Sequence, residues 1–363
     1  MLKTSPTVFA VDKNYQIMVQ LQCEALVSIQ IGNKTYYDDS NGIMNSLSPI
    51  HRVCVPMEVL DQEKQYTVCI RPIVERKPYF TETKEPVMHS FAFAPVPEKN
   101  IRVYHISDAH NAIEMPVKAA KTFGNIDLLI LNGDVIDHSG DPEKFNNIYE
   151  ICAQLTDGRV PVVFSRGNHD MRGNFAEKFA DYTPSYHQNT YYTFRLGSIW
   201  GVILDCGEDK MDDHPEYGFT VACHVFRERQ TEFLKTMVEN ADKEYNADEV
   251  KTKLVIVHNP FTQQLQSPFD IEADIYRQWA SLLKTYVRPD LMICGHTHKY
   301  GIHKQGGEFD HLGQPCTVVI ASEPQKERFI GCGFVIDEDQ IEAVFTDSLG
   351  ETLLKETIHK QER

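Results

Sequence analysis

The chain has 363 residues, 42% of them hydrophobic and 24% charged, the balance of a globular protein with room for two domains. Its 36 Lys and Arg against 52 Asp and Glu give a formal net charge of −16, which repels polynucleotide backbones and anionic membranes and argues against a nuclease. The nine cysteines are scattered and form no CxxC pair, which argues against a disulfide framework and a thiolate zinc site and points to a reducing compartment, the cytoplasm. The opening MLKTSPTVFAVDKNYQ lacks the apolar run of a signal peptide, and no stretch approaches the ~20 apolar residues that cross a bilayer.

Residues 1–97 offer short β-rich runs, IMVQLQ, LVSIQIG, HRVCVPM and YTVCIRP, separated by turn formers such as YYDDSNG. They predict a small antiparallel β-sandwich, with FAPVPEKN as a linker. Residues 98–363 predict a second domain. Apolar strands RVYHI, LLILN, VVFS, WGVILD, KLVIVH, LMIC and TVVIA alternate with the amphipathic stretches PEKFNNIYEICAQL, RERQTEFLKTMVEN and DIYRQWASLLKTY. Strands apolar on both faces and separated by helices indicate a layered α/β domain. FIGCGFVID and IEAVFTD return the end of the chain to β texture.

Five of these strands stop at residues of the types that can bind metals. RVYHIS runs into Asp108-Ala109-His110, LLILNG into Asp134 with Asp137 and His138 behind it, and VVFSRG into Asn168-His169-Asp170. LVIV runs into His258-Asn259 and LMICG into His296-Thr297-His298. Each alone has an ordinary explanation. Asp134 and Asn168 suit turns, His258 suits a satisfied core position, and His110 suits a helix end. Together they predict one site, because ligands of α/β sheets bind beyond the carboxyl ends of the strands, here at one edge of one sheet. An Asp/His/Asn set without thiolates suits manganese, iron or zinc. A bridging carboxylate can hold two such ions ~3.5–4 Å apart and activate a bridging water.

Asp108-x-His110, Gly133-Asp134-x-x-Asp137, Gly167-Asn168-His169-Asp170, His258 and Gly295-His296-x-His298 resemble, in order, the five motifs of calcineurin-like metallophosphoesterases, across about residues 101–300. The resemblance implies a four-layer α/β/β/α catalytic domain with two divalent or mixed-valence ions. Asp108, His110 and His298 would hold one ion, and Asn168, His258 and His296 the other, with Asp134 between them. His169 would face the scissile phosphate without ligating, oriented by Asp137. Arg166, two residues before Asn168, is either a clamp for phosphate oxygens or one half of a structural ion pair.

Two departures narrow the type. His138 stands where protein Ser/Thr phosphatases of the superfamily carry arginine. Asp137 and the retained His110 differ from purple acid phosphatases, so no iron–tyrosinate colour is expected. The N-terminal unit nevertheless resembles the fibronectin-type domain of purple acid phosphatase relatives. The acidic segment 206–219 is expected to form a rim over the metals, with a solvated excursion as its alternative; His214, Asp212 and Asp213 are not assigned to catalysis. The expected reaction is attack of a metal-bridging hydroxide on a phosphomonoester or small phosphodiester. Cyclic nucleotides are the nearest rival substrate, and a catalytically silent scaffold is the alternative of another class. The expected partner is a small phosphoester rather than nucleic acid or membrane, with homo-oligomerisation left open.

Overall fold

The computed structural model describes residues 1–361. Its main sheet has ten strands; the continuous order is Thr352–His359, Gln340–Asp347, Phe329–Ile336, Ile101–Ile106, Leu128–Asn132, Pro161–Ser165, Thr7–Val11, Asn14–Gln20 and Ile50–Pro56. A second, six-stranded sheet runs Tyr192–Leu196, Ile199–Leu204, Thr252–Val257, Leu291–Cys294, Val318–Ile320 and Gly301–His303. Ile101–Ile106, Leu128–Asn132 and Pro161–Ser165 are parallel neighbours, as are the middle four strands of the second sheet.

Side-chain alternation stacks these sheets. Val103, Ile130 and Val163 point inward to meet Ile203, Ile256 and Ile293 in one shared core. On the outer face of the main sheet, Tyr104, Ile106, Leu129 and Leu131 pack with the buried stripes of the helices Glu114–Phe123 and Asn146–Thr156. On the outer face of the second, Val202, Leu204, Val255 and Val257 pack with Cys223–Glu239 and Ala273–Leu282. The layers are therefore α/β/β/α, and both sheets read as continuous apolar runs because both of their faces are covered. The helix Asn146–Thr156 shows how locally this is written. Ile148, Ile151 and Cys152 recur on one face, and Asp157 and Gly158 end the helix with φ of 48° and 69°.

The N-terminal unit is also sandwiched, but one of its two sheets belongs to the main sheet. Ala25–Ile31, Lys34–Tyr37, Gln65–Arg76 and Val87–Ala92 form a separate sheet, and its Val27, Ile29, Val68 and Ile70 share the core containing Ile17, Val19, Val53 and Val55. Thr7–Val11 pairs in parallel with Pro161–Ser165, with Val8 opposite Pro161 and Phe9 opposite Val162. The expected division at residues 97 and 98 is thus crossed by a hydrogen-bonded seam and a common core. Gln16 adds bonds to the main chain of Ser185, and Arg52 to the carbonyls of Ala180 and Thr183. No helix among the described residues is long and apolar enough to cross a membrane.

Candidate active site

The five polar clusters meet, but at an edge shared by two sheets rather than at the edge of one. Asp108, Asp134 and Asn168 follow strands of the main sheet, whereas His258, His296 and His298 follow strands of the second. Asn132 joins the two layers there, donating from Nδ2 to the carbonyls of Val257 at 3.3 Å and Ile293 at 3.2 Å. Its own carbonyl accepts Nδ1–H of His258 at 2.7 Å. The carboxyl ends of the two sheets are therefore bonded to each other within the floor of the site.

Tight turns aim the side chains. Asp108, His110, Asp134, His296 and His298 all lie in the left-handed region, with φ of 55°, 42°, 51°, 66° and 52°. Non-glycine residues avoid this region, and such strain concentrates where the surroundings hold a functional geometry in place. Gly133 (φ 77°) leaves no room for a side chain. A Cβ there would lie 2.5 Å from the amide nitrogen of Gly167 and 2.7 Å from Nδ1 of His258. A Cβ on Gly167 would strike the Asp134 carboxylate, and one on Gly295 would strike Ser107. The glycines of the motifs are there because backbone, carboxylate and imidazole are packed into contact.

Two donor groups result. Asp108, His110 and His298 form one, and Asp134, His258 and His296 the other, with the donor atoms of each within 4.8 Å of one another. In the first, Nε2 of His110 faces Nε2 of His298 at 3.1 Å, and His298 Nε2 lies 3.3 Å from Asp108 Oδ1. In the second, His258 Nε2 lies 3.1 Å from Asp134 Oδ2, and Nδ1 of His296 lies 3.0 Å from Asn168 Oδ1. Asp134 Oδ1 accepts the backbone N–H of His169 at 3.0 Å, and His296 donates its backbone N–H to Asp108 at 3.1 Å. A further cluster of His110, Asp137 and His169 competes for His110.

These residues fit divalent cations. Nδ1 of His258 is committed to the Asn132 carbonyl, so Nε2, buried and 3.1 Å from Asp134 Oδ2, is the nitrogen that would face a metal. The facing nitrogens of His110 and His298 would both suit a cation held by this group. Without one, protons stand in for the charge. Burial pulls His258 down, but the carboxylates of Asp134 and Asp108 outweigh it and raise the imidazole to about 10. Burial likewise opposes ionisation of Asp108, yet His258 and His298 hold its carboxyl well below the usual range. Burial and His258 push His296 down to about 4, leaving it neutral and able to ligate.

The other expected residues divide between the site and its supports. His169 lies beside both groups, and its Nδ1 donates to the main-chain carbonyl of Asp137 at 2.8 Å. Asp137 therefore reaches His169 through its backbone; its half-exposed carboxylate is 3.8 Å from that nitrogen and 3.4 Å from Nδ1 of His110. Arg166 is held by the buried Asp205, Nε to Oδ2 at 2.7 Å, and lies over the Phe226 ring. In segment 206–219, Glu208 bonds to Arg172 and Asp209 lines a cleft with His296, whereas Asp212 accepts the first N–H groups of Cys223–Glu239, a helix-capping role. His214 accepts the N–H of Glu216.

Sequence reasoning gives no role to Asp170, although it names it, and misses Arg172. Arg172 brings its guanidinium to 3.3 Å from Nε2 of His169 and forks onto Glu208 with both bonds at 3.0 Å. Asp170 is buried, accepts N–H groups of Gly167 and Asp134 at 2.8 and 3.2 Å, and is raised to about 8 by burial and by the Asp134 charge. Its place within GNHD was the available signal; Arg172 had none beyond lying on the same loop.

Comparison with known proteins agrees with this geometry. The family model for calcineurin-like phosphoesterase matches residues 101–300. A relative from Rhodopseudomonas palustris named "probable cyclic nucleotide phosphodiesterase" is 26% identical over 203 residues, 54% of this chain and 66% of that one, so the match spans just under two thirds of the relative. A purple acid phosphatase from yellow lupin (Lupinus luteus) seeds superposes with a TM-score of 0.60 at 12% identity, covering 99% of this chain and 75% of that chain. A dimetal phosphatase from Danio rerio superposes with a TM-score of 0.50 at 14% identity, covering 72% of this chain and 100% of that chain. At such identities these two likenesses speak for the fold. The lupin match takes in the N-terminal β unit as well.

Proposed function

Because the chain belongs to the calcineurin-like phosphoesterase family, we propose that it is a metal-dependent hydrolase of phosphomonoesters or small phosphodiesters. The observation that carries this reading is the pair of adjacent donor groups, Asp108/His110/His298 and Asp134/His258/His296, with His169 alongside. In this reading Asn168 completes the second group and Asp134 serves both. When bound, two cations of the manganese, iron or zinc type supply an acidified water and neutralise charge on the phosphoryl oxygens.

The chain's own residues do the rest. The Asp137 carbonyl holds the His169 ring by Nδ1, so Nε2 is the nitrogen turned outward, and a ring that carries a second proton there would donate it to a phosphoryl or leaving-group oxygen. Arg172, braced by Glu208, presents N–H donors beside that nitrogen. A diester substrate such as a cyclic nucleotide is the second reading, favoured by the name of the Rhodopseudomonas relative. The nine unpaired cysteines support placing the protein in the cytoplasm. Residues 98–363 would form the catalytic unit, with 1–97 as its fused β-sandwich.

The test is metal content together with hydrolysis of p-nitrophenyl phosphate, bis-p-nitrophenyl phosphate and cyclic AMP, for wild type and His169→Ala. Two metals per chain, with turnover lost on the order of 10²-fold or more in the variant while both metals stay bound, is the expected result. A chain that takes up no metal from manganese, iron or zinc would sink the proposal. Metal without turnover of any ester would favour a silent scaffold.

A further inference from the structure

A cleft opens on His296 between the loop that follows His258 and the segment that carries Asp209. Leu265 and Phe269 form its outer wall and are 41% and 38% exposed, whereas Ile271 and Tyr276 close its base and are buried. Leu265 and Phe269 are large apolar side chains at the mouth of an otherwise polar site. Phe269 is also anchored: Lys210 Nζ sits 5.0 Å from its ring centroid and is held in turn by Asp209 and Glu216, each at 3.0 Å. One polar atom in the wall has no use within the protein. Oε1 of Gln263 is buried without a hydrogen-bond partner.

We infer that this cleft is the subsite for the organic half of the substrate and that it takes the base of a mononucleotide. The inference rests on the phosphoesterase reading, because a group lodged against His296 is one attached to a phosphoryl group at the donor cluster. The wall then selects its chemistry. An aromatic face on Phe269 suits a flat ring. An unpaired amide oxygen in the same wall suits a donor such as an exocyclic amine. An alkyl chain would leave the Gln263 oxygen buried and unpaired, and a bare sugar phosphate would leave Leu265 and Phe269 uncovered. The net charge of −16 provides no track for a polynucleotide, so the ligand is a single nucleotide.

Titration calorimetry on the manganese-loaded full chain tests this, using AMP, ribose 5-phosphate and inorganic phosphate as probes. AMP is expected to bind about tenfold more tightly than ribose 5-phosphate, the scale of one base stacked on an aromatic side chain. Phe269→Ala and Gln263→Leu should each remove most of that preference while leaving inorganic phosphate unchanged. Equal affinity for AMP and ribose 5-phosphate in wild type, no binding of AMP, or a preference that survives both substitutions overturns the inference. Turnover of p-nitrophenyl phosphate is measured in parallel. Turnover without an AMP preference removes the subsite and leaves the hydrolase, whereas an AMP preference without turnover of any ester does the reverse.

Discussion

Arg172 and Glu208 form a two-bond fork, 3.0 Å at each contact, and the fork points the remaining guanidinium nitrogen at His169 Nε2, 3.3 Å away. Glu208 is 1% exposed, so the carboxylate cannot swing toward water and the arginine is held in one orientation. A phosphoryl oxygen that approaches His169 meets this guanidinium at the same time.

Arg172→Lys should therefore lower kcat/KM by roughly 10- to 100-fold, because an ammonium cannot keep two parallel bonds to Glu208 while reaching His169. The loss should fall on kcat as well as KM, and metal content should stay at the wild-type value. Glu208→Gln keeps one acceptor and should cost less. Wild-type kinetics in Arg172→Lys would reduce the fork to a strut for the loop.

Arg166 is expected to act on stability. Its Nε–Asp205 contact of 2.7 Å lies in a region where the two side chains are 14% and 1% exposed, and Asp205 also accepts from Thr190 and from the N–H of Gly207. Arg166→Ala leaves the buried Asp205 charge without its counter-cation and should cost about 3–5 kcal/mol in a urea titration. Inorganic phosphate should bind the surviving folded protein as it binds wild type. A stable variant whose phosphate affinity drops more than tenfold would restore Arg166 to the substrate.

Metal removal should make stability depend on alkaline pH. In the metal-free protein the carboxylates of Asp134 and Asp108 raise His258 from 6.5 to about 10 against the pull of burial. A pKa raised on folding contributes stability that is fully present below pH 6.5 and lost as pH rises through 10. Denaturation with a chelator present should thus show falling stability from about pH 7 to 10. The metal-loaded protein should not follow that decline, since the cation supplies the charge and binds better to deprotonated ligands. Parallel pH profiles with and without chelator would rule out this role for the Asp134–His258 pair.

Much of the site is legible in the amino-acid sequence alone. Asp108, Asp134, Asn168, His258 and His296 each close an apolar strand, so periodicity places them at strand ends, and the donor chemistry supplies their purpose. What periodicity does not supply is the partner of each strand. Alternating runs state which face is buried and not which neighbour covers it, so the sequence suggests one sheet edge where two sheets converge. Arg172 is illegible for a related reason. Its role depends on Glu208, 36 residues away in sequence, and no local spacing announces a pairing of that range. Thr7–Val11 does carry a signal. TVFAV has four apolar residues in succession, the pattern of a strand covered on both faces rather than of a sandwich edge, and the structure buries all five positions.

That strand gives the last expectation: removal of residues 1–97 should unfold the remainder instead of releasing a working catalytic unit. The truncation would strip Thr7–Val11 from Pro161–Ser165 and open the edge of the very strand that delivers Asn168 and His169. It would also expose the side of the common core occupied by Val8, Ala10 and Ile17, and cut the bonds from Gln16 and Arg52 that tie down residues 180–185. An open apolar edge is a template for aggregation. Chain 98–363 should accordingly accumulate in the insoluble fraction, and any soluble part should lack near-ultraviolet circular dichroism and bind no metal. A soluble truncated chain with both metals and wild-type turnover of p-nitrophenyl phosphate would mean that the seam at Thr7–Val11 contributes nothing the catalytic layers need.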